Sequence, residues 1–155
     1  MKVLMVCLGN ICRSPLAQGI LELQTRLHGL VWEVDSAGTS AYHVGETPHR
    51  LSCKVASLNG IDISKQRARQ FCAKDMDYYD RIFVMDTDNL RMVKELSGDR
   101  WQPSKTSLLL YVLENTDIQN VPDPWYGEEE NYHAVYKLIQ AACEKIVLNN
   151  ITRLK

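Results

Sequence analysis

Cys7 and Arg13 bracket the loop Leu8-Gly9-Asn10-Ile11-Cys12, and Ser14-Pro15 follow at once. Before the loop, Lys2-Val3-Leu4-Met5-Val6 reads as a short buried strand. After it, Ser14 suits an N-cap and Pro15 the first helical position, with Leu16, Ile20, Leu23 and Leu27 at helical spacing. A strand-loop-helix junction of this kind aims the unpaired amides of the first helical turn, and the positive end of the helix dipole, into the loop. That is an anion site. Cys7 begins the loop and Arg13 closes it, so a thiol and a fixed cation face the same anion. Gly9 lets the backbone curl, and Asn10 tolerates a left-handed conformation. A helix N-terminus beside arginine favours the thiolate, the nucleophilic form of cysteine, and the Ser14 hydroxyl is placed to donate to it. The Arg13 fork matches two oxygens of a phosphate, where lysine would offer a point charge. The chemistry indicated is in-line attack of sulfur on a phosphate monoester.

Other readings of these residues fare worse. A cysteine at a strand end is commonly a small buried hydrophobe, but here the arginine and the helix start surround it. The Cys7–Cys12 spacing is wider than C-x-x-C and no second pair follows, so no metal and no cofactor are expected. One glycine without Gly-Lys-Ser/Thr fits neither nucleotide-binding fingerprint.

A second stretch, Val121-Pro122-Asp123-Pro124-Trp125-Tyr126-Gly127, holds a carboxylate between two prolines. The prolines stiffen it and bias Asp123 toward an extended backbone, so the carboxylate is presented outward. Taken alone, Asp-Pro is a common turn.

Several elements must hold these stretches in place. Gly29 stops the first helix and Val31–Ala37 reads as a second strand running into Gly38. Thr47-Pro48 opens a helix with Leu51, Val55 and Leu58 on one face, closed by Asn59-Gly60, and His49 falls in its first turn as a solvated cap residue. Arg81–Met85 is a third strand. Asp86 starts a helix through Leu90, Val93 and Leu96 that Ser97-Gly98 ends; Asp88 and Asn89, on the pocket side of that turn, read as structural. Lys105–Leu110 contains a fourth strand, although its leucines leave the type ambiguous. A last helix runs from about Asn131 with Val135, Leu138, Ile139, Ala142 and Ile146 on one face; Cys143 reads as core and His133 as surface. Strands alternating with helices give an α/β fold, three layers with helices on both faces of a four-stranded parallel sheet, and ligands bind beyond the strand carboxyl ends.

At 155 residues the chain fits a single domain, 1–155. With 45% hydrophobic and 24% charged residues it is ordinary for a globular protein. A net charge of −1 gives no case for nucleic acid, and no stretch is long enough for membrane insertion. The apolar amino terminus is too short for a signal peptide, and five scattered cysteines do not form a secreted disulfide framework, so a cytoplasmic location is expected. A monomer is the expected state.

The run Val-Cys-Leu-Gly-Asn-Ile-Cys-Arg-Ser-Pro-Leu-Ala resembles the signature of the low-molecular-weight protein tyrosine phosphatases, and length and later motifs agree along essentially the whole chain. The resemblance implies a flavodoxin-like fold, phosphotyrosine-containing protein substrates and a cysteinyl-phosphate mechanism without metal. By that resemblance Cys7 is the nucleophile, Arg13 the phosphate clamp and Asp123 the general acid and base. The substrate would bind to Leu8, Gly9, Asn10, Ile11, Cys12 and Ser14, with Tyr42, Trp125 and Tyr126 flanking the aromatic ring. Ser36 and Gln66 would support Asn10; many relatives carry histidine where Gln66 stands, and Trp125 replaces the first tyrosine of the Asp-Pro-Tyr-Tyr-Gly pattern. The family also implies a reversible Cys7–Cys12 disulfide under peroxide. Two rival activities on the same fold are thiol-dependent arsenate reduction, with Cys72 the available second thiol, and phosphoarginine hydrolysis, which goes with threonine at the Ile11 position. A third alternative is a non-catalytic anion-binding module, against which stand Cys7, Arg13 and Asp123 together.

Overall fold

The computed structural model describes residues 1–154. Four strands, β1 (Lys2–Cys7), β2 (Glu33–Gly38), β3 (Arg81–Val84) and β4 (Thr106–Leu108), form one sheet in the order β2-β1-β3-β4. All neighbouring pairs are parallel, with Met5 opposite both Ser36 and Phe83. β1 is central, and Val3 through Val6 are fully buried, as both-face coverage of a parallel sheet requires.

Alternation along the strands sorts the core into two layers. Val3, Met5 and Cys7 of β1, with Phe83 of β3, meet helices α1 (Arg13–Leu27), α2 (Arg50–Leu58) and α5 (Glu129–Arg153). Leu4, Val6, Ile82 and Val84 meet the other face, covered by α3 (Ala73–Tyr78) and α4 (Thr87–Ser97) through Met76 and Val93. The result is the three-layer α/β arrangement expected. The strand order reverses between β1 and β3, so a crevice opens beyond their carboxyl ends. The Cys7 loop leaves β1 there, and Asp86 follows β3 there.

Some boundaries differ from expectation for physical reasons. β2 begins at Glu33, and Val31 is 97% exposed. α1 begins at Arg13 with Cys12 as N-cap and no side-chain cap; Ser14 lies inside the first turn, its hydroxyl drawn to Cys7 and Asn10. α2 starts at Arg50, and His49 caps it by accepting the Leu51 amide on Nδ1. Strand alternation would send Leu109 and Leu110 to opposite core layers, but both pack in the same one. The chain therefore turns into a 3₁₀ segment, Leu109–Val112, which sends Leu108 to one core layer and Leu109 and Leu110 to the other. α3 is an element the sequence did not announce; its six residues carry too little periodicity, and Asp75 folds back onto the Cys72 amide to start it.

Candidate active site

The Cys7 side chain closes the carboxyl end of β1, with its Sγ 3.0 Å from Ser14 Oγ and 3.3 Å from the Asn10 amide nitrogen. Among the described residues, the amides of Leu8, Gly9, Ile11 and Cys12 donate to no backbone or side-chain acceptor. They are the free donors of an anion cradle, and the uncapped start of α1 adds its dipole.

The loop's conformational demand falls on Asn10, which has φ +58°, the one non-glycine residue of positive φ among those described. Gly9 is not in the left-handed region; its lack of a side chain makes room for His43, whose ring carbon would stand 3.0 Å from a Cβ. The Asn10 side-chain nitrogen Nδ2 donates to Ser14 Oγ (2.8 Å) and Ser36 Oγ (2.9 Å), and Oδ1 accepts the Arg69 backbone amide (3.0 Å). Ser36 passes the chain on to Gln18 Oε1 at 2.7 Å. Gln66 has a different partner from the one expected. Its amide donates to the Pro15 carbonyl at 3.1 Å, because both donors and the oxygen of Asn10 are engaged without it. Behind the loop lies Gly38, where a Cβ would come within 2.8 Å of the Leu8 carbonyl oxygen and 3.0 Å of the Asn10 nitrogen.

Arg13 is only 2% exposed. Its Nη1 donates to Asp86 Oδ2 (2.7 Å) and to the Val121 carbonyl (2.9 Å), while Nη2 lies 3.7 Å from Asp123 Oδ2. Burial pushes the guanidinium pKa down, but the Cys7 sulfur, Asp86 and Asp123 outweigh it and the net shift is upward. The cation is secure. Asp86 also accepts the Asn89 amide on its other oxygen, so the α4 cap and the Arg13 clamp are one carboxylate.

The Asp123 loop is stitched to the same centre. The Val121 amide donates to the Met85 carbonyl just past β3 at 2.8 Å, and Asp123 Oδ1 accepts the Trp125 amide at 3.1 Å, leaving a half-exposed carboxylate at the rim. Cys12 sits beneath, its sulfur 3.7 Å from the Tyr132 hydroxyl. Burial raises its pKa to about 12 against the lowering by Tyr132, so it is a neutral thiol.

Together these elements enclose a pocket of about 230 Å³ floored by Cys7 and Arg13, with Ile11 and Cys12 on one side and Asp123 at the mouth. Leu8, Tyr42, Trp125 and Tyr126 form its rim, all four exposed. Asn10 and Ser14, expected to contact substrate, do not line the pocket; they are buried behind it and hold the loop. Sequence reasoning missed His43, which lines the wall, pairs with Glu46 and packs 5.4 Å from the Trp125 ring. It also missed Asp86 as the partner of Arg13, Arg69 as the support of Asn10, and Tyr132 under Cys12. Among the described residues, no group of three or more His, Cys, Asp or Glu side chains is arranged to hold a metal, and no helix is long and apolar enough to cross a membrane.

The family model for low molecular weight phosphotyrosine protein phosphatase matches residues 2–155. YfkJ of Bacillus subtilis, named a low molecular weight protein-tyrosine-phosphatase, is 36% identical over 148 residues, 94% of this chain and 93% of that protein. Its crystal structure matches with a TM-score of 0.90 and covers 100% of this chain and 96% of that one. The human low molecular weight phosphotyrosine protein phosphatase is 34% identical over 147 residues, 92% of this chain and 90% of that protein. The crystal structure of DARP, a drosophila arginine phosphatase, matches with a TM-score of 0.89 at 30% identity, covering 97% of this chain and 98% of that one. With the pocket built on the loop after β1 and the family match running through both that loop and the Asp123 loop, the chain belongs to the low molecular weight phosphotyrosine protein phosphatase family.

Proposed function

We propose that this single domain hydrolyses phosphotyrosine in proteins in two steps, through a cysteinyl-phosphate on Cys7. The observation that carries the reading is that Asp123, far along the chain, lines one pocket with Cys7 and Arg13. A phosphate dianion fits the free loop amides, and the Arg13 edge not engaged by Asp86 is left for two of its oxygens. The Cys7 thiolate attacks phosphorus opposite the phenolic oxygen; an S–P bond forms as the P–O bond breaks, and Asp123 gives its proton to the departing oxygen. Water then loses a proton to Asp123 and attacks phosphorus, the S–P bond breaks, and inorganic phosphate leaves with the thiolate restored. The loop amides and Arg13 hold the charge on the equatorial oxygens throughout. The Ser14 hydroxyl, 3.0 Å from the sulfur, stabilises the thiolate as both nucleophile and leaving group.

Ile11 in the pocket wall, with the aromatic rim, suits a flat ring better than a guanidinium. Cys53 and Cys72 do not line the pocket, which disfavours a thiol relay for arsenate. The reading places a monomer acting on phosphoproteins in the cytoplasm. Turnover of a phosphotyrosine peptide, of phosphoarginine, and of arsenate with a thiol reductant tests it. The peptide should be the preferred substrate by at least tenfold, and Cys7→Ser should abolish turnover while still binding vanadate. Faster release of phosphate from phosphoarginine, or substantial activity in Cys7→Ser, would overturn it.

A further inference from the structure

A second concavity, about 890 Å³, runs from the pocket mouth along the start of α4. Leu8, Tyr42 and Asp123 line both, so they form a shared lip that any chain leaving the pocket on this side must cross. Arg91 and Met92 make the far wall. Asn89 lines this groove, yet it is only 2% exposed, and its side-chain oxygen is buried with no hydrogen-bond partner among the described residues. The Ser40 hydroxyl, which lines both spaces, is likewise buried without a partner. Buried polar groups are nearly always paired, and an orphan calls for an explanation. The cleft on the opposite side of the mouth, lined by His43, His49 and Trp125, has no such orphan among the described residues.

A carboxamide offers one acceptor and two donors in a plane, a match for the N–H and C=O of one peptide unit. Asn89 sits two hydrogen bonds from the catalytic arginine, because its own backbone amide is held by the carboxylate of Asp86 that grips Arg13. The backbone that carries the side chain is thereby fixed relative to the pocket. An extended chain whose phosphotyrosine enters the pocket would lay its neighbouring residues in this groove. We propose that the groove is a subsite for the substrate main chain, in which the Asn89 carboxamide hydrogen-bonds the peptide unit of a residue flanking phosphotyrosine. This rests on the phosphotyrosine reading above and adds to it the place where the main chain of such a substrate is held.

The test uses the native protein first. kcat/KM is measured on p-nitrophenyl phosphate, on free phosphotyrosine, on an extended phosphotyrosine peptide, and on that peptide with single N-methylated amides at each flanking position. The peptide should exceed free phosphotyrosine by about tenfold, mainly through KM, and one N-methyl position should remove most of that gain, as the loss of one or two hydrogen bonds would. In Asn89→Ala the ratio of peptide to p-nitrophenyl phosphate turnover should fall by about the same factor, and N-methylation should no longer matter. A purely structural role for Asn89 would lower both substrates together and leave the ratio intact. If native protein turns over p-nitrophenyl phosphate but treats free phosphotyrosine and all peptides alike, the subsite is wrong and the phosphatase reading stands. If no aryl phosphate is turned over, the phosphatase reading itself fails.

Discussion

Asn10 is where the cradle's shape is decided, and two substitutions there separate its two contributions. Asn10→Ala removes three side-chain hydrogen bonds, to Ser14, Ser36 and the Arg69 amide. At about 0.5–1.5 kcal/mol each, this costs the loop roughly 1.5–4.5 kcal/mol. Alanine must also hold φ near +58°, which adds about 1–2 kcal/mol because its Cβ meets the following carbonyl. Asn10→Gly loses the same hydrogen bonds but adopts that φ freely. Both variants therefore leave the cradle less populated, and alanine should be worse by about 1–2 kcal/mol, or roughly 5- to 30-fold in the competent fraction. The assay is kcat/KM on p-nitrophenyl phosphate together with vanadate affinity, since both need the loop closed, and thermal unfolding as a control on the global fold. Glycine should fall at least tenfold below native, and alanine further. Equal losses in the two variants would refute the conformational argument; native-like behaviour of Asn10→Gly would refute the hydrogen-bond argument.

Gly38→Ala should disable turnover with little change in secondary structure by circular dichroism, because the new Cβ meets loop backbone at 2.8–3.0 Å and backbone cannot swing aside; activity above a tenth of native would contradict it. Asp123→Ala should slow the burst phase on phosphotyrosine, whose phenol has a pKa near ~10, by about 10²–10⁴-fold, or roughly 3–5 kcal/mol of barrier. On p-nitrophenyl phosphate, with its better leaving group, the burst should suffer less, and equal losses would remove Asp123 as the acid. Cys12, raised from its ordinary 9.0 to about 12 by burial, favours the folded state below pH ~9, and that contribution is lost as pH rises toward its folded value. Iodoacetamide at pH 8 followed by mass mapping should therefore leave Cys12 unmodified until the protein is unfolded; rapid labelling in the folded protein would count against the buried thiol.

What the sequence made legible was local. Cys7, Arg13 and the strand before them lie within one continuous stretch, and the demand for a left-handed residue could be met by few types, so Asn10 stood out. Asp123 was marked by its flanking prolines and by family resemblance. The rest of the site is assembled by contacts across long separations, which no spacing rule reports. Arg69 supports Asn10 through its backbone amide, a group every residue but proline carries, so its side-chain type held no clue. Asp86 was visible as a helix cap, which it is, and its second oxygen is what reaches Arg13. Tyr132 reaches Cys12 across 120 positions. Ser14 misled because a good cap residue was given two stronger calls on its hydroxyl, Cys7 and Asn10, once the chain had folded.

The same assembly explains why an arginine closes the loop. Nη1 is held from the side by Asp86 and the Val121 carbonyl, so the guanidinium plane is set before any anion arrives. The remaining edge then points where the fork's rigidity sends it. Asp123, at 3.7 Å from Nη2, is the looser of the two carboxylates and the one on the mobile side of the exchange, since an incoming phosphate competes with it for that edge. A lysine has one nitrogen for all of these partners. Asp86 at the side and a phosphate in front would draw it in different directions, and the Asp86 carboxylate, fixed as the α4 cap, is already in place. The division of labour in this pocket therefore follows from the number of nitrogens: one must be given to the fold so that another can be given to the substrate.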